Sequence, residues 1–252
     1  MAFDLNNFVI DRIVRGVALS QKDDSVLFSI NQIQNASLNC ASESADAVDA
    51  LGTPIATFYR AKSAEFSAEN ALYDMNLMAT QLGTTKKVAS AGAKITVPAM
   101  ESFTVAEGGA YELKHAPKTA PTEIYALNGD STFGVKYAKS TEATATEFSI
   151  ADKTITLPTG LAVGTEMFVM YEYETENAVE VVNSATNFPV GCKFIMEVLG
   201  CDVCDQTNLV YAYVIFNNFK LSPDFDWSIQ TDGAHPFSGK AQQDLNCRSL
   251  AA

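Results

Sequence analysis

Five cysteines are the residues here whose type and spacing point most directly to chemistry. Cys201 and Cys204 are separated by two residues, a spacing found in zinc sites and in redox pairs. A structural zinc site needs four ligands, and no second pair at matching spacing follows, so the candidate metal ligands are Cys192, Cys201 and Cys204. The favoured interpretation is that these are free thiols, buried or half-buried, and no metal site is predicted, with the three cysteines kept only as weak candidates. The odd number argues against a disulfide framework, and no cofactor is expected.

The two histidines offer little acid–base chemistry. His115 and His235 each lie within two residues of a proline in a turn-like stretch, so we expect solvated loop side chains, with a Cys247–His235 pair as the weaker alternative. No phosphate-binding loop, dinucleotide glycine motif or His-Glu-x-x-His pattern occurs. The sequence therefore predicts a protein that is not an enzyme.

The charge balance excludes a general nucleic-acid binder. Thirty acidic against 17 basic residues give a net charge of -13, whereas proteins that grip phosphates do so with clustered Lys and Arg. Only 19% of the residues are charged, below the roughly 25% of a typical soluble domain, which favours a surface partly covered by neighbouring subunits. No signal peptide is visible at the start of the sequence and no run of 18 apolar residues occurs, so we expect no membrane span and folding in a reducing cytosol.

The elements that position these residues are predicted to be mainly strands, because apolar residues alternate with polar ones. Segments 12–19 and 25–40 form a long hairpin around the polar turn 21–24, and an acidic loop follows at 41–53. One helix is predicted at 65–82, with Ser67 as its N-cap and Gly83 as its stop, because apolar residues there recur every three or four positions.

The middle and end of the chain continue the β pattern. Short, evenly spaced strands at 96–175, with the turn Asn128-Gly129, predict a small β-sandwich. Strands are then expected at 193–199, 208–221 and 224–231, before a tail at 233–252. We therefore predict a discontinuous β-domain, 1–95 with 176–252, that carries the inserted sandwich 96–175.

Two stretches resemble a known family. Residues 49–70 (Asp-Ala-Leu-Gly-Thr-Pro-Ile-Ala-Thr-Phe-Tyr-Arg-Ala-Lys-Ser-Ala-Glu-Phe-Ser-Ala-Glu-Asn) and the close of the chain, 219–221, 225–229 and 231–244, resemble major tail tube proteins of long-tailed bacteriophages. The middle, 96–175, is similar to the immunoglobulin-like insertions of phage virion proteins. The resemblance implies a tail-tube-like β-sandwich that contributes to a barrel, with one flanking α-helix and an inserted Ig-like β-sandwich.

The same resemblance implies a role in the virion tail. Subunits would be assembled in the host cytoplasm as hexameric rings that stack into a hollow conduit for DNA ejection, with the tape measure protein inside and a sheath or tail-end protein as further partners. Hairpin 12–40 would supply strands to the inner barrel, and the 41–64 loop would reach the next ring. The candidate residues for the lumen or for contacts between subunits are Asp23, Asp24, Asp46, Asp49, Lys62 and Glu65.

Two other classes of function stay open at this point. A head decoration, capsid or baseplate protein of a phage could carry the same kind of insertion. A carbohydrate-binding adhesion module could use exposed rings, and the candidates are Phe168, Tyr171, Tyr173 and Trp227. However, Tyr171 and Tyr173 alternate in phase with Met167 and Val169, which favours packing in the core.

Overall fold

The computed structural model describes residues 7–203, 205–242 and 247–251. The protein is mainly β, with 58% strand and 3% helix, which confirms the predicted fold class. In chain order the elements are β1 (Phe8–Ser20), β2 (Val26–Ile30), β3 (Ile33–Val48), β4 (Pro54–Asn70), α1 (Met75–Gln81), β5 (Lys87–Val88), β6 (Ile95–Thr104), β7 (Ala110–Glu112), β8 (Glu123–Leu127), β9 (Phe133–Lys139), β10 (Glu147–Ala151), β11 (Thr154–Thr156), β12 (Glu166–Thr175), β13 (Val179–Glu180), β14 (Gly191–Asp202), β15 (Asp205–Leu221), β16 (His235–Ala241) and β17 (Cys247–Ala251).

The chain divides into two compact units. Unit 1 comprises the described residues up to Lys86 together with those from Val181 onward, and unit 2 comprises Lys87–Glu180. Within the described residues α1 is the one α-helix, and no helix there is long and apolar enough to cross a membrane.

Unit 1 is built on an eight-stranded sheet whose order is β2-β1-β14-β15-β16-β4-β3, with β17 also paired to β15. Strands β2 and β3 stand at opposite ends of this order, yet only Asn31 and Gln32 separate them in the chain. Because so short a link spans no more than about 10 Å, the sheet must curl until its two ends approach each other. A curled half-barrel of this kind is what the structure shows.

Six phenylalanine rings fill the interior of unit 1. They come from five strands and lie with neighbouring ring centroids 5.3 to 6.3 Å apart. Burying each ring contributes roughly 1.5–3 kcal/mol, so this cluster is a major source of stability for the curled sheet. Its members are Phe28, Phe66, Phe194, Phe216, Phe219 and Phe237.

Unit 2 has its own sheet and its own core. The seven-stranded sheet has the order β6-β12-β8-β9-β10-β11-β7, and β5 pairs separately with β13. Alternate residues of β12, namely Met167, Val169 and Tyr171, are buried, so the expected core position of Tyr171 is confirmed. The predicted turn at Asn128-Gly129 is also present, because β8 and β9 pair on either side of it and the Asn128 amide donates to the Thr132 carbonyl at 2.9 Å.

The predicted helix at 65–82 is wrong over its first half. Residues up to Asn70 belong to β4, and the buried positions Ala64, Phe66 and Ala68 alternate as in a strand. The helix begins only after Asp74, whose carboxylate caps it by accepting from the amides of Asn76 and Leu77. Pairing of β4 with β16 therefore outweighed the three- and four-residue spacing of apolar residues up to Asn70.

Four other expected boundaries were wrong, because strand pairing and not the local pattern decides where these elements begin and end. The predicted strand 25–40 breaks at Asn31 into β2 and β3, and most of the predicted loop 41–64 is the paired β3–β4 hairpin. Segment 224–231 is not a strand, and the 233–252 tail instead supplies β16 and β17. β16 fits between β15 and β4, an assignment that depends on partners far away in the sequence.

Candidate functional site

The most unusual surface of unit 1 is a hairpin that extends beyond the sheet. β16 pairs with β4 only over residues 65–70, so the preceding part of β4 pairs with β3 alone, from Ala41 opposite Ser63 to Val48 opposite Pro54. We call residues 41–63 the arm. An isolated two-stranded hairpin is marginally stable in water, and this one has no further strand against it in the described part of the chain.

The arm exposes apolar side chains on both of its faces. Every arm residue except Ala45 is exposed, and Leu51, Ile55, Phe58 and Tyr59 show 91, 70, 59 and 72% of their surface. Phe58 and Tyr59 are consecutive in a strand, so their rings point to opposite faces. Exposed large apolar side chains gathered on one hairpin are typical of a protein–protein contact.

The tip of the arm is shaped by Asp49. Its carboxylate accepts from the backbone amides of Leu51 and Thr53, both at 2.8 Å, and these hydrogen bonds, that from Thr53 first, hold the pKa of Asp49 below its usual value. The Asp49 amide donates in turn to the Thr53 carbonyl at 2.9 Å. Asp49 therefore has a local role as a turn former.

The other predicted contact or lumen residues fall into two groups. Asp46 and Lys62 lie exposed on the arm, and Glu65 lies at its root, where it forms an ion pair with Lys240 at 2.7 Å. Asp23 and Asp24 occupy a different place, the turn between β1 and β2, where hydrogen bonds, chiefly from the Ser25 hydroxyl, keep the pKa of Asp23 below its usual value. Their roles in a lumen or between subunits stay predictions.

A second uncovered apolar surface lies where β1 begins, β14 ends and β15 begins. Val9, Ile10, Leu209 and Tyr211 are exposed there. On the side of β15 away from β14, β17 pairs with residues 212–216 and β16 with residues 219–221, so residues 205–211 have an open edge within the described chain. β2 is likewise an edge strand. Open edges are where another chain can add its own strand.

Cys192 and Cys201, two of the three candidate metal ligands, lie too far apart to bind the same ion. Cys192 is wholly buried, its thiol donates to the Phe219 carbonyl at 3.3 Å, and burial raises its pKa to about 12. Cys201 lies on the same strand, and nine residues at about 3.3 Å each place it roughly 30 Å away, too far to share an ion. Cys204 lies outside the described residues. Among the described residues no group of three or more His, Cys, Asp or Glu side chains could hold a metal ion.

The histidines differ from each other in a way that their sequence contexts did not reveal. His115 is exposed and stacks on Tyr173 with ring centroids 3.9 Å apart. His235 was expected in a solvated loop, but it begins β16 and is fully buried. That expectation was wrong because β16 lies inside the sheet. The Cys247 side chain, its suggested partner, lies outside the described residues.

A comparison with known families agrees with a structural role. A family model described as the YomU/Tube protein family matches residues 8–247. The chain therefore belongs to this family of phage-related tube proteins, whose role is structural and whose members assemble in phage tails. No curated protein matches the chain.

Proposed function

We propose that this member of the tube family is the subunit of a phage tail tube, in which hexameric rings stack into a hollow conduit for DNA ejection. The arm is the observation that carries the proposal. Covering Ile55, Phe58 and Tyr59 with a neighbouring subunit stabilises by roughly 1.5–3 kcal/mol per side chain. A single chain leaves all three in water.

A second copy of the chain suits the arm better than other partners do. The arm and the surface formed by β1, β14 and β15 are different patches of one chain, and contacts between different patches are heterologous, so they build rings or continuing stacks. β2 and β15 could also pair with strands of neighbouring subunits. Their edges would then no longer be exposed, as happens when a sheet closes into a barrel. The predicted insertion, 96–175, is proposed to be an Ig-like domain.

The lumen is proposed to be acidic, with Asp23 and Asp24 facing it. The net charge of -13 supports a wall that does not bind phosphates. DNA, and the tape measure protein that occupies the lumen before it, would therefore leave the tube without binding to its wall. A sheath or tail-end protein would contact the outside or the end of the tube. The assembly site is the host cytoplasm and the destination is the virion tail. An inner wall lined with Lys and Arg in a reconstruction of the assembly would contradict this part.

Negative-stain electron microscopy of the purified chain, over a range of concentrations, tests assembly. We expect tubes or stacked rings of fixed diameter from the unmodified protein. The triple variant Ile55→Ser, Phe58→Ser and Tyr59→Ser should remain as single rings or monomers, because the arm loses its apolar surface. Val163→Ser, which alters an exposed apolar residue of unit 2, is the matched control and should assemble normally.

The outcomes separate the proposal from its alternatives. Tubes from the triple variant would show that the arm is not the stacking element. Dispersed unmodified protein at every concentration would instead favour a head decoration, capsid or baseplate protein.

A binding role for unit 2 is the second candidate. On one face of its sheet, Tyr125, Phe133 and Phe168 line a recess of about 460 Å³, with ring centroids 5.1 to 5.2 Å apart. Such rings could receive a sugar or another partner through their apolar faces. Retention of the chain on a glycan array, lost in Phe133→Ser and Phe168→Ser, would support an adhesion module.

A further inference from the structure

The segment between β15 and β16, residues 222–234, has no helix or strand and is held by side chains. We call it the strap. Trp227 packs edge-on against Tyr73 with ring centroids 5.2 Å apart, and the Tyr73 hydroxyl donates to the Ser228 carbonyl. A Cβ at Gly233 would collide with both of those oxygens, so only glycine lets the strap fold back this closely.

His235 lies directly beneath these contacts. Its side chain is 0% exposed. The rings of Phe225, Trp227 and Tyr73 surround it at centroid distances of 5.9, 6.5 and 6.1 Å. The strap therefore covers His235 with two of its own aromatic rings.

Hydrogen bonds determine which nitrogen of His235 carries a proton. The Gln81 side-chain amide donates to the Pro236 carbonyl at 3.2 Å, so its oxygen Oε1 faces Nε2 of His235 at 2.8 Å. An amide oxygen only accepts, and Nε2 must therefore carry the proton. Nδ1 is then a bare acceptor, buried and without a hydrogen-bond partner among the described residues.

A second proton would have to go onto Nδ1, where it creates a buried cation. Burial lowers the pKa of His235 from its ordinary value of 6.5, and the negative charge of Asp74 only partly offsets this. Other charged groups on the packed elements are Glu69 of β4, which accepts from Asn35, and the strap's own aspartates 224, 226 and 232.

We propose that His235 is a proton-sensitive latch: the neutral imidazole allows the strap to close over it, and protonation at Nδ1 releases the strap. Because its pKa is depressed in the closed state, the proton binds more tightly once the strap opens. The stability of the closed strap is therefore complete above about pH 6.5 and decreases as the pH falls toward the depressed value. The latch concerns a single subunit and does not depend on the tube proposal.

The chain provides its own reporter and its own control. Trp227 is the only tryptophan, and the protein has only two histidines. We expect a red shift of tryptophan emission and stronger acrylamide quenching in the full-length protein as the solution goes from about pH 8 to about pH 5, the range in which histidine titrates. The change should be lost in His235→Phe and retained in His115→Gln.

A second measurement guards against a misfolded variant. Proton NMR of the unmodified protein, with His115→Gln to assign the two imidazoles, should show His235 titrating below its ordinary value of 6.5 and together with the fluorescence change. Emission that is constant over the whole range, or a transition that persists in folded His235→Phe, would overturn the proposal. So would weaker quenching in acid, the result expected if a protonated Nδ1 donates to the unpartnered oxygen of Asn70.

Discussion

Replacing Glu101 of β6 with glutamine should destabilise unit 2 through one buried hydrogen-bond network. Glu101 is only 3% exposed. Its carboxylate accepts from the hydroxyls of Tyr111, at 2.8 Å, and Tyr171, and from the Lys114 amide at 3.1 Å. Since the Tyr171 hydroxyl also accepts from the His115 amide at 3.1 Å, this one carboxylate fastens segment 111–115 to both β6 and β12.

The expected size follows from the number and type of these bonds. Hydrogen bonds to a charged group contribute about 1.5–3 kcal/mol and neutral ones about 0.5–1.5 kcal/mol. Glutamine keeps an acceptor but loses the charge. Glu101→Gln should therefore lower the free energy of opening of the β6–β12 sheet, as measured by hydrogen exchange, by about 1–3 kcal/mol. Glu101→Leu leaves all three donors without their acceptor, and an unpaired buried donor such as the Tyr171 hydroxyl costs about 1–3 kcal/mol, so its effect should be clearly larger.

The pH dependence gives an independent signature. Burial raises the pKa of Glu101, but the hydrogen bonds from Tyr171, Tyr111 and Lys114 outweigh it, and the pKa lies below the ordinary value of 4.5. A depressed carboxyl pKa means that the stabilisation is complete above about 4.5 and is lost as the pH falls through the folded value. Glu101→Gln should lack this part of the acid sensitivity.

Hydrogen exchange of the β6 and β12 amides is the suitable assay, because the only tryptophan lies in unit 1. Glu166→Gln, which changes an exposed carboxylate at the start of β12, is the matched control and should change the opening free energy by less than about 0.5 kcal/mol. If Glu101→Gln exchanged as slowly as the unmodified protein at neutral pH, the network would not be holding segment 111–115.

Three further changes test single features. At about pH 8, iodoacetamide should alkylate exposed Cys40 but not Cys192, whose pKa is raised to about 12, until the protein unfolds, as peptide mass spectrometry would show. Asp74→Ala removes the helix cap and should cost about 1 kcal/mol in urea unfolding, with Asp74→Ser restoring most of it. Gly83→Ala combines a left-handed backbone with a Cβ that would collide with the backbone of Phe188, so it should lower the Tm more than Gly52→Ala, which has a left-handed backbone in open space.

Local patterns predicted the parts of this fold that local physics controls. The β1–β2 turn and the turn after β8 were recognisable because their polar and glycine residues suit tight turns. Alternation in β12 correctly placed Met167, Val169 and Tyr171 in a core. The helix at 75–81 was found, but its start was missed because the capping residue is Asp74 and not Ser67.

The candidate site was predicted less completely than the fold. Residues 41–64 were expected to form a contact loop, and three of the six proposed contact residues, Asp46, Asp49 and Lys62, do lie on the arm. No local pattern singled out Phe58 and Tyr59, because an exposed aromatic in a strand looks the same as a buried one until the neighbouring strands are known.

By itself, the sequence determined that this is an acidic, mainly β protein with one helix and a resemblance to tail tube subunits, because composition, alternation and turn chemistry are local properties. Only the tertiary structure decided that β16 enters the sheet between β15 and β4, and that pairing with β16 stops at residue 65. Those two facts bury His235 and leave the arm uncovered. Both depend on strand partners that are more than 150 residues apart in the chain, which no local pattern encodes.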